Sequence, residues 1–158
     1  MKTLVHTDQA TIEEAIRQCQ VCSVGMVDTD GTPYVIPMSF GYEENIVYLH
    51  SGQEGRSISI LEKNPNVCLS FCTDPKIVFQ HPQVACSYSA HSKSVIGWGR
   101  VVFEEDYDEK LKALNLIMQH YSDKTFEFNR PAVLNVKIWK VELQKVTCKE
   151  FGTSPHKN

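Results

Sequence analysis

The chain has 158 residues, of which 42% are apolar and 22% are charged, a composition typical of one soluble globular domain with a sizeable core. The formal net charge of -3 offers no positive field for a nucleic-acid backbone, so no nucleic-acid partner is predicted. No apolar stretch approaches the roughly 20 residues of a membrane helix, and no secretion signal is visible, which predicts a cytoplasmic protein without a membrane partner.

The first part of the chain predicts a helix followed by antiparallel strands. Thr11 and Glu14 form a capping-box pattern, in which the threonine hydroxyl accepts a free amide and the glutamate reaches back. Asp30-Gly31 is a strong hairpin turn because glycine readily adopts positive φ. Pro37 cannot donate to a strand ladder, which predicts an edge or a bulge there. The predicted elements are a helix near 10–19 and strands over 21–28, 33–42 and 46–50.

The rest of the chain predicts more strands and two further helices. Asp106 is a suitable N-cap, and Tyr107, Leu111 and Leu114 follow at helical spacing. The predicted elements are a short helix over about 55–63, strands over 66–72, 84–90, 94–105 and 133–146, a helix from 106 to about 121, and a loop over 73–83. About seven antiparallel strands with peripheral helices predict a mainly β fold, closed or nearly closed into a barrel. One domain is predicted over 1–150, followed by a disordered tail over 151–158.

Cysteine spacing gives little support for a metal or redox site. Cys19 and Cys22 form a CxxC pair, which is typical of a redox pair or of half a zinc site. A second pair with the same spacing is missing, since Cys68 and Cys72 are four residues apart. These two would lie on one face of a strand, which predicts small apolar packing residues, and no metal site is predicted.

Residues 48–61, YLHSGQEGRSISIL, combine the features of an anion site. A strand runs into a glycine-containing turn and then a helix, whose free amides and dipole favour negative charge. Arg56 adds a planar charged fork, and Ser51 and Ser57 add hydroxyl donors. Gly55 allows the backbone to approach a ligand closely. The residues are equally compatible with an ordinary capped loop that carries a surface arginine.

His50 lies in the same stretch and has several possible roles. It could be a general acid or base, a metal or haem ligand, or a hydrogen-bonded residue at the end of a strand. The chain has no Ser-His-Asp order, no HExxH motif and no Walker loop, so a hydrolase or a nucleotide-hydrolysing enzyme has no support.

Four features follow one another along the chain: an opening helix and strand, then DGTPYVIPMSFGYE, then IVYLHSGQEGRSISILEKNPNVCLSF, then SKSVIGWGRVVFEED before a helix. In this order they resemble the FMN-binding split-barrel family, which includes pyridoxamine 5'-phosphate oxidase. The resemblance covers roughly 10 to 150 and is greatest to the nitroimidazole-resistance branch. It implies a six-stranded antiparallel split β-barrel that forms a homodimer, with FMN in the cleft between subunits.

The resemblance also implies which residues contact FMN. The predicted contacts are Pro37, Met38 and Ser39 beside the isoalloxazine ring, His50 and Ser51 near the ring and ribityl chain, Gly55, Arg56 and Ser57 at the phosphate, and Ser94 on a strand that borders the flavin.

Two departures from the family pattern bear on affinity and substrate. Many relatives have a lysine directly after the arginine, whereas this chain has Ser57, so the loss of one positive charge predicts weaker FMN binding. Vitamin B6 oxidases bind their substrate phosphate with an arginine-rich final strand. The last strand here, NVKIWKVELQKVTCKEF, has no arginine, which disfavours vitamin B6 oxidation.

The function implied by the resemblance is that of an FMN-dependent oxidoreductase acting on a small molecule. The reaction proposed for the nitroimidazole-resistance branch is reduction of a drug nitro group to an amine. His50 would tune the flavin or contact the substrate and is the predicted catalytic residue. Two alternatives are a haem-binding or haem-degrading protein, since the same barrel has relatives that use haem, and a non-catalytic flavin-binding module.

Overall fold

This computed structural model describes residues 2–153, which contain nine β-strands and four α-helices. The strands are β1 (Lys2–His6), β2 (Cys22–Val27), β3 (Pro33–Met38), β4 (Phe40–Glu43), β5 (Ile46–Ser51), β6 (Asn66–Cys72), β7 (Lys76–Phe79), β8 (Tyr88–Glu104) and β9 (Lys137–Thr153). The helices are α1 (Gln9–Gln18), α2 (Arg56–Lys63), α3 (Tyr107–Tyr121) and α4 (Arg130–Asn135), and a 3₁₀ turn covers Ala85–Ser87.

The strand order explains how the sheet curls into a barrel. The order is β3-β2-β6-β8-β9-β5-β4, with β1 added beside β9 and β7 beside β8. The end strands β3 and β4 are consecutive in the chain, with only Ser39 between them. The sheet must therefore curl until its two ends meet. Counted as one bent strand, β3 and β4 give the six antiparallel strands of a split barrel, which confirms the predicted fold.

Turn and cap residues act largely as predicted, with one exception. Gly31 has φ 85°, as the β2–β3 hairpin requires, and the Asp106 side chain accepts the amides of Asp108 and Glu109 at the start of α3. The capping role predicted for Thr11 is wrong. Helix α1 begins earlier, and Asp8 caps it by accepting the Thr11 amide at 3.0 Å.

Pro37 lies on a sheet edge, as predicted. Strand β3 pairs with β2 along one side, where Pro37 faces Ser23. Its other side has no strand partner within residues 2–153. A proline fits there because it has no amide to donate to a ladder.

Apolar side chains form two clusters that lie on opposite sides of β5 and β9. The larger fills the barrel and includes the fully buried Trp139 and Phe40. The smaller lies between the outer side of these strands and helices α3 and α4, and includes Tyr48 and Ile138. Gly41 permits this close packing, because a Cβ there would lie 2.7 Å from the backbone of α3. The helices thus cover one side of the barrel and leave other faces open.

Several predicted boundaries are wrong. The loop predicted over 73–83 contains β7, which pairs with β8. The strand predicted over 84–90 begins with the 3₁₀ turn, and the start of the strand predicted over 133–146 belongs to α4. Strand β1, which pairs with β9, was not predicted. Residues 151–153 of the predicted tail belong to β9, and 154–158 lie outside the described residues.

Within residues 2–153, no helix is both long enough and apolar enough to cross a membrane.

Candidate functional site

Strand pairing is interrupted where the bent strand β3–β4 separates from β5, and we call this gap the groove. Phe40 pairs with Leu49, so the same register would set Ser39 opposite His50. Beyond this point β3 pairs with β2 instead, and its second edge stays free among the described residues. One wall of the groove is therefore the free edge of β3. The other wall is the end of β5 with the loop that leads into α2.

This groove brings together eight of the nine residues predicted to contact a cofactor. Pro37, Met38 and Ser39 lie along the first wall, and His50, Ser51, Gly55, Arg56 and Ser57 lie along the second. The two walls are in contact at the far end of the groove. There the Arg56 guanidinium carbon lies 4.7 Å from the centroid of the Tyr34 ring. From Tyr34 to Met38 the strand spans roughly 13 Å, at about 3.3 Å per residue.

The start of α2 forms the positive end of this groove. Gly55 precedes the helix at φ 144°, a conformation that favours glycine, and no side chain caps the helix within residues 2–153. Its first-turn amides therefore have no capping oxygen, while the Ser59 amide already bonds to the Gly55 carbonyl at 3.0 Å. The free amides, the helix dipole and the exposed Arg56 together favour an anion here.

The loop before α2 is fixed by contacts that sequence reasoning missed. The Gln53 side-chain amide donates to the carbonyls of Leu134 and Val136, at 3.1 Å and 3.0 Å. The Leu134 carbonyl also accepts from the buried Lys110 ammonium at 3.3 Å. Helices α3 and α4 thereby hold the loop in place. Because Gln53 and Leu134 are 81 positions apart, no local pattern could have indicated this contact.

Ser51 is held by the barrel core. The Trp139 indole N–H donates to its Oγ at 3.0 Å, and that hydroxyl donates to the Gly52 carbonyl at 2.8 Å. The single hydroxyl proton of Ser51 is therefore engaged within the loop. A ligand would meet Ser51 as an acceptor unless the bond to Gly52 exchanged.

His50 lies at the end of β5 with an exposed side chain. Alternation along the strand places it on the same face as Tyr48, outside the barrel interior. Nearby protein atoms exclude part of its hydration, and this desolvation lowers the pKa of His50. The imidazole is therefore neutral at pH 7, a form that can donate through one ring nitrogen and accept through the other.

Ser94 is the one predicted contact that a single chain does not bring to the groove. It lies on β8, which is separated from β3 by two strands and from β5 by one. Its neighbour Val95 is buried in the barrel, so strand alternation turns Ser94 toward the outer face. Ser94 of the same chain therefore lies away from the groove.

The CxxC pair, Cys19 and Cys22, is placed for packing rather than for thiolate chemistry. Cys19 and Cys22 are both buried, and burial raises the pKa of the Cys19 thiol to about 12 and that of Cys22 still further. Cys72 is exposed, so its prediction as a packing residue is wrong. No group of three or more potential metal ligands occurs within residues 2–153.

Comparison with known proteins identifies the family. The sequence profile described as pyridoxamine 5'-phosphate oxidase matches residues 8–150. A candidate 5-nitroimidazole antibiotic resistance protein from Bacteroides thetaiotaomicron has 48% sequence identity and a TM-score of 0.86, over 94% of this chain and 87% of that one. No curated protein sequence matches the chain.

Two more distant structures share the fold. Flavocytochrome Anf3 from Azotobacter vinelandii has 21% identity and a TM-score of 0.81, over 98% of this chain and 72% of that one. An FAD- and haem-binding protein from Mycobacterium smegmatis has 14% identity and a TM-score of 0.83, over 100% of this chain and 77% of that one. Because the family profile and the 48% identical relative both match over most of the sequence, the chain belongs to the pyridoxamine 5'-phosphate oxidase-like split-barrel family.

Proposed function

We propose that the protein is an FMN-dependent oxidoreductase that reduces nitroimidazole or other nitroaromatic compounds. The observation that carries this proposal is the shape and charge of the groove. One end has the free amides of α2 and the Arg56 guanidinium, and the unpaired edge of β3 runs from that end along one wall. A phosphate monoester with a planar ring system, as in FMN, matches the charged end and this wall at once.

Different residues of the groove would bind different parts of FMN. Gly55 and Ser57 offer backbone amides to the phosphate, and Arg56 offers charged donors. The free edge of β3 offers backbone groups to the polar edge of the ring, although Pro37 can supply only its carbonyl. Only Arg56 contributes a full positive charge in this loop, because Ser57 follows it where many relatives have lysine.

When bound, FMN supplies the redox chemistry by accepting hydride or electrons from a donor and passing them to an acceptor. The protein's part is to orient the cofactor and the acceptor. His50 is the proposed substrate contact, because its neutral, exposed imidazole, which can donate one hydrogen bond and accept another, lies opposite Ser39 at the ring end of the groove. The resistance protein with 48% identity supports a nitroimidazole as the acceptor.

Vitamin B6 oxidation is not proposed. The last strand, β9, supplies lysines but no arginine, and two of these lysines are already paired. The Lys137 ammonium lies 3.6 Å from Glu105, and that of Lys140 lies 3.3 Å from Glu104. Strand β9 therefore has no arginine fork for a substrate phosphate.

Turnover tests the proposed reaction. The FMN-loaded protein is mixed anaerobically with NADH or NADPH and then with a 5-nitroimidazole. We expect the donor to bleach the oxidised flavin absorbance and the nitroimidazole to restore it. With excess donor, repeated cycles should yield the corresponding amine with three equivalents of donor oxidised per nitro group, because the reduction takes six electrons and each donor supplies two. Flavin that binds but passes no electrons to any nitroaromatic would contradict the reaction and favour a non-catalytic flavin-binding module.

A homodimer with flavin at the subunit interface belongs to the same proposal. The outer face of the barrel carries a row of residues in register across four strands, Val35, Gly25, Cys68 and Trp98. Two small residues thus lie between two apolar ones, of which Val35 is 63% and Trp98 37% exposed. Ser94 lies on this face too, so a second copy docked here would bring its Ser94 toward the groove.

A charge on this face tests the dimer. Trp98→Glu is expected to convert the dimer to a monomer and to weaken FMN binding. It removes the large apolar side chain of this face, and a carboxylate in an interface is costly to desolvate even beside the Lys145 ammonium, which lies 5.2 Å from the Trp98 ring. Val5→Glu changes an equally apolar residue of β1, which is 66% exposed, and is expected to leave both properties unchanged. Sedimentation velocity and FMN titration measure the two properties. A wild-type monomer that binds FMN tightly would contradict the shared site.

A further inference from the structure

Arg56 is held by an aromatic ring rather than by a carboxylate. Its guanidinium carbon lies 4.7 Å from the centroid of the Tyr34 ring, across the groove from α2 to β3. None of the salt bridges within residues 2–153 involves Arg56. A ring beneath a guanidinium occupies its face and leaves the in-plane N–H donors free.

We propose that Tyr34 is a positioning residue of the phosphate site, holding the Arg56 guanidinium in place for the phosphate of the cofactor. This inference rests on the proposed function, since it concerns the same site. Tyr34 need not touch the ligand. It acts through Arg56, by restricting the guanidinium before the ligand arrives.

The Tyr34 ring can order the Arg56 side chain before the ligand binds without neutralising the charge of the guanidinium. A free arginine side chain loses rotamer freedom when it binds a phosphate, and a residue that orders it beforehand reduces that loss. A carboxylate partner would also order Arg56 but would compete with the phosphate for the same donors. The tyrosine ring orders the side chain and leaves its charge and its N–H groups available.

Asp30, whose carboxyl is affected by the charge of Arg56, illustrates this difference. Hydrogen bonds from Thr32 are the main reason why the pKa of the Asp30 carboxyl is lowered, and the charge of Arg56 contributes weakly. Asp30 accepts the Thr32 amide at 2.9 Å and forms no ion pair with Arg56. The Asp30 carboxylate is thus committed to the β2–β3 turn, and the ring of Tyr34 is the partner of Arg56.

Tyr34 is itself well fixed. It lies on β3 directly opposite Met26 of β2, and its side chain packs against the apolar core of the barrel. The ring therefore has little freedom to follow Arg56 if the arginine moves. A fixed surface of this kind is what preorganisation requires.

The test compares FMN with riboflavin, which lacks the phosphate. Tyr34→Leu is expected to weaken FMN binding by about 2- to 5-fold, the usual strength of an exposed cation–π contact, and to leave riboflavin affinity unchanged. Tyr34→Phe keeps the ring and is expected to bind FMN as the wild type does. The control is Tyr107→Leu, which removes a similar ring lying 4.6 Å from the Arg130 guanidinium, and neither affinity should change.

The ratio of the two affinities separates positioning from packing. A general loss of structure in Tyr34→Leu would weaken FMN and riboflavin alike, and equal weakening would overturn the inference. An unchanged FMN affinity in Tyr34→Leu, or a loss in Tyr34→Phe equal to that in Tyr34→Leu, would also overturn it. A wild-type protein that binds neither flavin would refute the proposed function itself, a result distinct from failure of the Tyr34 variants alone.

Discussion

Arg56→Ala is expected to weaken FMN binding by about 10- to 150-fold, because a charge-assisted hydrogen bond contributes about 1.5–3 kcal/mol. The loss falls near the upper end if Arg56 binds the phosphate with two N–H groups. No second cation follows it in the loop, since position 57 is a serine, so the remaining amides of α2 would hold the phosphate alone.

Fluorescence quenching of free FMN at fixed salt measures this change. Arg56→Lys keeps the charge but loses the fork and its stacking on Tyr34, so its affinity should lie between those of the wild type and the alanine variant. Arg130→Ala removes an exposed arginine that stacks on Tyr107 in the same manner, and it should bind FMN normally. An alanine variant at position 56 within twofold of the wild type would show that the phosphate lies elsewhere.

Trp139→Ala is expected to lower the free energy of unfolding by about 3–5 kcal/mol, the usual cost of removing a large buried aromatic side chain. Trp139 is 0% exposed and lies within the barrel, where its ring meets that of Phe103 edge-on at 6.3 Å. Urea denaturation of the apoprotein measures the change. A loss below about 1 kcal/mol would mean that the barrel collapses around the cavity, which a close-packed interior does not readily do.

A companion variant separates the two roles of Trp139. Trp139→Phe keeps much of the buried ring but loses the indole N–H that holds the Ser51 hydroxyl at 3.0 Å. We expect a smaller loss of stability than in Trp139→Ala, together with measurably weaker FMN binding because the loop around Ser51 is less ordered. Unchanged FMN affinity in a folded Trp139→Phe protein would show that this hydrogen bond is dispensable for the site.

Local features of the sequence predicted much of the fold. The Asp30-Gly31 turn and the Asp106 cap were predictable because a turn or cap depends on a few adjacent residues. The bend at Ser39, which passes one strand from β2 to β5, has no such local pattern. Strand β1 was missed for a similar reason, because it pairs with the far end of the chain in β9.

Like the fold, the candidate site could be predicted from the sequence only in part. The glycine, arginine and serines around the start of α2 could be interpreted as an anion site from their types and order alone. The groups that fix them could not, because Gln53, Tyr34 and Trp139 act across the fold on the loop or on Arg56. The position of Ser94 on the far side of the barrel could be known only from the strand order.

The central claim is that the groove binds FMN, and the most direct test is the visible absorption spectrum of the purified protein before and after denaturation. We expect the purified protein to show two broad oxidised-flavin bands and the denatured protein to release FMN into solution. A sharp Soret band would contradict the claim and make haem the cofactor, with the histidines as the residues to mutate. A colourless protein that takes up no added FMN would leave the barrel fold intact and refute the proposed function.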